Sequence, residues 1–272
     1  MTDAFLEANR ASWDERVAVH LRDTTGIYPL EAFRRGADTL TPIEATEIGD
    51  VAGKRILHLQ CHFGIDTLSL ARRGADVTGL DFSPKAIEAA RAFSVELGIP
   101  ARFVEANVYD APAATGGGYD MVFTSWGTTI WLPDINRWAA AVAGCLVPGG
   151  SLYFADGHPS MMLFTEREGR LELGWPWRNA PDDPSIEDDP QSYAGDGTPL
   201  ANSRTFGWLH PFSTILGALK ANGLDLEYLH EHEMVPWQPF PSMVREGQMY
   251  VQPPGQIRIP LAFSLKATKR RD

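Results

Sequence analysis

Cysteine is nearly absent from this 272-residue chain, which has only Cys61 and Cys145. The two stand far apart and outside any CxxC arrangement, which excludes a disulfide framework and a cysteine-built redox or metal motif. Long apolar runs are missing as well. No stretch reaches the roughly 20 residues a bilayer-spanning helix needs, and the acid-bearing start, Met1 to Arg10, lacks the apolar core of a secretory signal. Basic residues are scarce: 24 Lys and Arg against 35 Asp and Glu give a formal net charge of −11. A field of that sign repels phosphate backbones and anionic lipid, so neither nucleic acid nor a membrane surface is expected as a partner. The one basic run, Lys269-Arg270-Arg271, reads as a solvated terminus. The seven histidines are scattered, with no pair at ligand spacing beside a third ligand, so no metal site is expected. Together these absences describe a cytoplasmic globular protein.

What is present is a rhythm. Residues 4–20 carry a rough helical stripe in Phe5, Ala8, Trp13 and Val17, and 1–50 reads as an N-terminal helical cap. From Gly53 short apolar runs alternate with helical segments: strands at 55–59, 75–80, 102–104, 119–124 and 151–155, with helices at 66–73, 84–97 and 134–146. Ser83 and Pro84 suit an N-cap and first turn, and Gly98 a stop. Alternation at this spacing means βαβ units and a parallel sheet, here the α/β core at 51–156. Residues 157–209, rich in proline, acids and aromatic rings, break the rhythm as an insertion of short strands and loops. The core resumes at 210–272, with a helix over 211–221 and strands at 224–230 and 257–267 that have no helix between them and so pair antiparallel.

The most informative string runs from His58 to Ser69, a strand that ends in a turn and opens a helix. Ligands of open α/β sheets sit at such strand ends, where the helix N-terminus offers free N–H groups. The string resembles the first motif of class I S-adenosylmethionine-dependent methyltransferases, a strand ending in GxGxG, with the glycine positions falling on Gln60, His62 and Gly64. A nicotinamide fingerprint would need its third glycine at Ile65. The resemblance to a large bacterial small-molecule subfamily of these enzymes runs from Trp13 to Lys266. It implies a Rossmann-like seven-stranded sheet of order 3-2-1-4-5-7-6 with the last strand antiparallel, and S-adenosyl-L-methionine as cofactor.

Within that resemblance, Gln60, His62 and Gly64 flank the methionine portion, and Asp81, ending strand two, accepts the ribose hydroxyls unless it merely caps the following helix. Phe82 lies against adenine, Asn107 and Val108 reach its polar edge unless Asn107 is only a turn residue, and Ser125 and Trp126 stand beside the sulfonium. The catalytic candidates are His158, past strand five as a base touching the acceptor, and Tyr28, with its ring toward the sulfonium. The insertion is expected to close as a lid over a small-molecule acceptor, helped by the loop at 231–255. Its rings, Trp175, Trp177, Tyr193, Phe206 and Trp208, form either that wall or the insertion's own small core. An acidic rim favours a neutral or cationic, planar acceptor for O- or N-methylation. Two other readings stay open: the same fold turned to other chemistry with the cofactor bound, and a non-catalytic interaction module, which the altered Gln60 and His62 favour. Oligomeric state is not legible.

Overall fold

A computed structural model describes residues 2–271. Its N-terminal part is helical: α1 (Thr2–His20), α2 (Leu30–Arg34) and α3 (Pro42–Glu47). Thr41 starts α3 with a capping box, accepting from Glu44 N–H while the Glu44 carboxylate accepts from Thr41 N–H, and Pro42 fills the first helical position. The core follows as β1 (Arg55–Leu59), α4 (Ile65–Arg72), β2 (Asp76–Asp81), α5 (Pro84–Leu97), β3 (Arg102–Glu105), α6 (Ala111–Thr115), β4 (Tyr119–Ser125), α7 (Ile135–Cys145) and β5 (Leu146–Gly157). Ser83 caps α5 by accepting from Ala86 N–H, and Gly98 ends it in the left-handed region, as the sequence predicts.

After β5 come four short strands, β6 (Phe164–Arg167), β7 (Arg170–Leu173), β8 (Ser185–Asp188) and β9 (Arg204–Gly207). Then follow α8 (Phe212–Ala221), β10 (Leu224–His232), β11 (Met234–Val235), β12 (Val244–Glu246), β13 (Met249–Val251) and β14 (Ala262–Lys269). Seven strands form one sheet in the order β10-β14-β5-β4-β1-β2-β3. β14 runs antiparallel to both β5 and β10. This is the expected 3-2-1-4-5-7-6 arrangement. One face is covered by α6, α7 and α8 around Trp138, Phe154 and Ile215. The other is covered by residues 28–51 with α4 and α5, around Phe33, Leu68 and Phe93. No helix among the described residues is long and apolar enough to cross a membrane.

Three local features depart from expectation. Strand five begins at Leu146 rather than 151, with Pro148-Gly149-Gly150 inside it: Tyr119 pairs with Leu146 and Met121 with Ser151, so 147–150 bulge out of the ladder, with Gly149 at φ +81°. The last strand begins at Ala262 rather than 257. The 231–255 segment is no plain loop, since β11, β13 and β12 pair there as a small antiparallel sheet. These strands are only two or three residues long, too short for a period-two pattern to register.

Candidate active site

The turn from β1 to α4 carries Gln60, His62 and Gly64 at φ 55°, 49° and 76°. Only glycine enters this left-handed region freely; other residues pay about 1–2 kcal/mol each. The backbone therefore keeps the shape three glycines would give, at the three motif positions, while two larger side chains are retained. Each is tied down. Gln60 Nε2 donates to the Thr128 carbonyl at 2.9 Å, and His62 Nε2 meets His20 Nδ1 at 3.0 Å. Gly64 has no room for a side chain, because a Cβ there would lie 2.6 Å from the ring of Phe103.

Asp81, at the carboxyl end of β2, holds this turn from the side. Its Oδ2 accepts from His62 N–H at 2.8 Å and its Oδ1 from Ser83 N–H at 2.9 Å. Ser83, not Asp81, caps α5. Burial raises the Asp81 carboxyl to about 6, against the pull of those two N–H donors.

A cavity of about 610 Å³ opens along the carboxyl edge of the sheet, within the range of small-molecule sites. Its lining includes Tyr28, Gln60, His62, Gly64, Asp81 and Phe82, and equally Asn107, Val108, Ser125 and Trp126. Six lining residues carry a buried polar atom with no hydrogen-bond partner: Glu44 Oε1, His58 Nε2, Gln60 Oε1, Ser125 Oγ, Trp126 Nε1 and Trp131 Nε1. Unpaired buried polar atoms are rare because each costs about 1–3 kcal/mol. Six around one cavity mark a surface built to meet polar groups of a ligand. The Ser125 and Trp126 groups lean toward the Glu44 carboxylate and favour its charged form, without forming a hydrogen bond of normal geometry.

The titratable groups here are shifted by burial. It pushes His58 and His20 down to about 3 and His62 well below its ordinary value, so all three rings are neutral. Burial, reinforced by the nearby Glu44, raises Asp66 to about 7, and Tyr28 is held protonated by burial and the Tyr193 hydroxyl it contacts. Asp66 yields a pH prediction. A carboxyl raised from 3.8 to about 7 in the fold contributes stability that is full below the unfolded value and lost as pH climbs through 7. Asparagine keeps the Thr39 hydroxyl bond but never ionises. Asp66→Asn should therefore melt above the wild type, by a gap that widens from pH 5 to pH 8. A gap independent of pH in scanning fluorimetry would contradict this.

Two expected contacts are not placed as the sequence suggested. His158 is 4 % exposed and does not line the cavity. Its Nδ1 accepts from Ser160 N–H at 3.0 Å and its Nε2 meets Glu231 Oε1 at 2.9 Å. Both ring nitrogens are engaged behind the cavity wall, so the candidate base is a structural bridge between β5 and β10. His158→Ala should cost about 2–4 kcal/mol of stability, from lost packing and bonds, yet leave ligand affinity in the cavity within twofold by calorimetry. Asn107 does line the cavity, but its Oδ1 already accepts from Tyr109 N–H at 3.0 Å in an Asx turn, which is the turn role weighed against adenine recognition.

Some contributors carry no sequence signal. Asp156, in β5, accepts from the backbone N–H groups of Gly127, Thr128, Thr129 and Gly157 at 2.6–3.2 Å and from both threonine hydroxyls. It fixes the loop that presents Trp126, and the Thr128 carbonyl that holds Gln60. Of the insertion's rings, Trp175 and Tyr193 line the cavity. Phe206 packs on Phe5, Trp208 is fully buried, and Trp177 is 59 % exposed. The insertion thus contributes both wall and core. From the 231–255 segment, Pro236, Trp237, Pro239, Phe240, Arg245 and Gln248 reach the cavity.

Residues 56–150 match the family model described as a methyltransferase domain. The chain is 36% identical over 107 residues to a ubiquinone biosynthesis O-methyltransferase of Photorhabdus laumondii, covering 39% of this chain and 44% of that one. Against the protein of the same description from Bordetella avium, identity is 32% over 118 residues, with 43% and 48% covered. The chain thus spans less than half the length of the curated relatives it matches. Solved S-adenosylmethionine-dependent methyltransferases from Mesorhizobium loti and Methanosarcina mazei each superpose with a TM-score of 0.56, covering 87% of this chain and 100% of theirs, at 20% and 18% identity, a likeness of fold. Residues 56–150 thus match a methyltransferase domain, and the sheet built on them has the fold of the solved S-adenosylmethionine-dependent methyltransferases.

Proposed function

We propose that the chain transfers a methyl group from S-adenosyl-L-methionine to a small-molecule acceptor bound in the same cavity. The observation that carries this is the ring of unpaired buried polar atoms at the carboxyl edge, beside a motif turn whose left-handed backbone is kept without its glycines. That retention argues against an idle scaffold, in which strained non-glycine residues would gain nothing. In this reading Asp81 takes the ribose hydroxyls, Phe82 lies against the adenine and Val108 meets its edge. Gln60, Ser125 and Trp126 face the methionine portion. The bound donor supplies an electrophilic methyl on a positively charged sulfur, so the protein's task is to align acceptor and donor and to exclude water. Tyr28, protonated and with its ring on the cavity, serves as a wall and a hydroxyl donor rather than a base.

The insertion at 157–209 acts as a lid together with the 231–255 segment and the N-terminal cap. Support comes from the cavity rings contributed by each: Trp175 and Tyr193, Trp237 and Phe240, Trp13 and Tyr28. Flat apolar walls with three acids on the lining besides Asp81, namely Glu44, Asp66 and Glu187, favour a planar acceptor that is neutral or cationic. The negative net charge supports an enzyme without nucleic acid partners, and no helix among the described residues is long and apolar enough to cross a membrane.

The test is transfer of a labelled methyl group to a panel of phenols and aromatic amines. Label should appear in one acceptor class, with S-adenosylhomocysteine formed in equal amount. Trp237→Ala should raise KM for that acceptor about tenfold, the loss of a large apolar contact, with cofactor affinity unchanged. Tight cofactor binding with no product from any acceptor would point instead to other chemistry on this fold.

A further inference from the structure

Two carboxylic acids sit on the β4 side of the motif turn with no basic side chain paired to either. Glu44, in α3, is 1 % exposed. Its Oε2 accepts from Thr41 N–H at 2.7 Å, and its Oε1, on the cavity lining, has no partner. Asp66, in the first turn of α4, lines the same region and accepts from the Thr39 hydroxyl. Beside them His58, 2 % exposed and neutral, has its Nδ1 on Thr67 Oγ1 at 2.9 Å and leaves Nε2 unpartnered. Among the described residues, the only lysine or arginine on the lining is Arg245. Its guanidinium is spent on the Thr25, Gly26 and Gly247 carbonyls. A buried acid oxygen with no donor of normal geometry is costly, and the second acid, close enough for the two charges to act on each other, adds to that cost. A ligand cation that enters between them removes both costs.

The sheet order sets which cation that is. β1 lies between β2 and β4, so a ligand whose diol rests on Asp81 at the end of β2 and which crosses the 60–64 turn brings its far end to Ser125, Trp126 and Glu44. We propose that Glu44 and Asp66 form a carboxylate seat for the primary ammonium group at the amino-acid end of the methyl donor. This rests on the donor reading above and deepens it: an acidic side-chain pair, supplied in part by the N-terminal cap, recognises the donor's charge and links cap docking to donor binding. A cationic acceptor offers the same ammonium chemistry from a second source, and the experiment separates the two.

The experiment is a calorimetric comparison of two ligands, S-adenosylhomocysteine and its analogue with hydrogen in place of the α-amino group, on the wild type and Glu44→Gln. Glutamine keeps the carbonyl that caps Thr41, so the helix start survives. On the wild type, loss of the amine should weaken binding by about tenfold to 100-fold, the range of hydrogen bonds between charged groups. On Glu44→Gln the two ligands should differ by less than about threefold, because only the amine-bearing one is weakened. Asp66→Asn should narrow the same gap from the α4 side. Equal weakening of both ligands would mean the acids are structural and would overturn the proposal. So would an unchanged gap, including the case in which Glu44→Gln raises KM only for amine acceptors, which would give the seat to the acceptor. A wild-type chain that binds neither compound would sink the donor reading itself, a different and recognisable failure.

Discussion

Replacing Gly64 by alanine is expected to lower the melting temperature by roughly 5–10 °C and to cripple donor binding at once. The new methyl would stand 2.6 and 2.8 Å from two atoms of the Phe103 ring and 2.9 Å from the Ala90 methyl. None of these is the loose end of a flexible chain. Phe103 is packed with Phe63, Leu68, Ile87 and Ala90 in the cluster between α4, α5 and β3, so relief requires the helices to part. Forced overpacking costs about 1–3 kcal/mol, and the φ of +76° adds about 1–2 kcal/mol for any residue with a Cβ. At roughly 2 °C per kcal/mol, the low end of the range and the one that suits a chain of this size, the sum of about 2–5 kcal/mol gives a shift of that order. The same movement displaces the 60–64 turn, so S-adenosylhomocysteine affinity falls with stability. A variant melting within 2 °C of the wild type would show that α4 and α5 yield more easily than their packing indicates.

Asp81→Ala is expected to have the largest effect on affinity. In the proposed complex its carboxylate accepts from two ribose hydroxyls, at about 1.5–3 kcal/mol for each bond to a charged group. The loss corresponds to roughly 10²–10⁴-fold in the dissociation constant. Unlike a simple helix cap, Asp81 also holds the His62 and Ser83 N–H groups. The variant should therefore lose about 1–3 kcal/mol of stability as well, from two backbone donors left unpaired. Asp81→Asn separates the effects: its carbonyl still serves one N–H, so stability largely returns while affinity does not. Because burial raises this carboxyl to about 6, and only the ionised form accepts from both hydroxyls, wild-type affinity should rise between pH 5 and pH 7.5 and then level off. Affinity unchanged in Asp81→Ala would leave this residue as a brace for the turn.

The sheet was legible because each βαβ unit is coded locally. Ser83-Pro84 and Gly98 bracket α5, and the strands ending at Leu59 and Asp81, largely apolar, are buried without a break after their first residue, as central parallel strands require. The motif turn was legible from register alone. Gln60 and His62 hold left-handed backbone that the sequence gives no reason to expect, since their compensation comes from Thr128, His20 and Asp81, far along the chain. The same distance hid Glu44, whose capping-box role is readable in Thr41-Pro42-Ile43-Glu44 but which joins Asp66 on the cavity lining only in the fold. Asp156 was invisible because its partners lie in the Gly127–Thr129 loop of another strand end. His158 misled for a related reason. Position at a strand end is a sound guide to the cavity, but β5 continues to Gly157, and the following turn, with His158 bonded to Ser160 and Glu231, carries the ring behind the wall.

Titration of the purified chain with S-adenosylhomocysteine tests the central claim most directly. One equivalent should bind, with a dissociation constant in the micromolar range or tighter and a matching rise in melting temperature, since a ligand that binds only the folded state stabilises it. Asp81→Ala should abolish both signals at the same concentrations. No heat and no thermal shift in the wild type, or binding that Asp81→Ala leaves intact, would contradict the account.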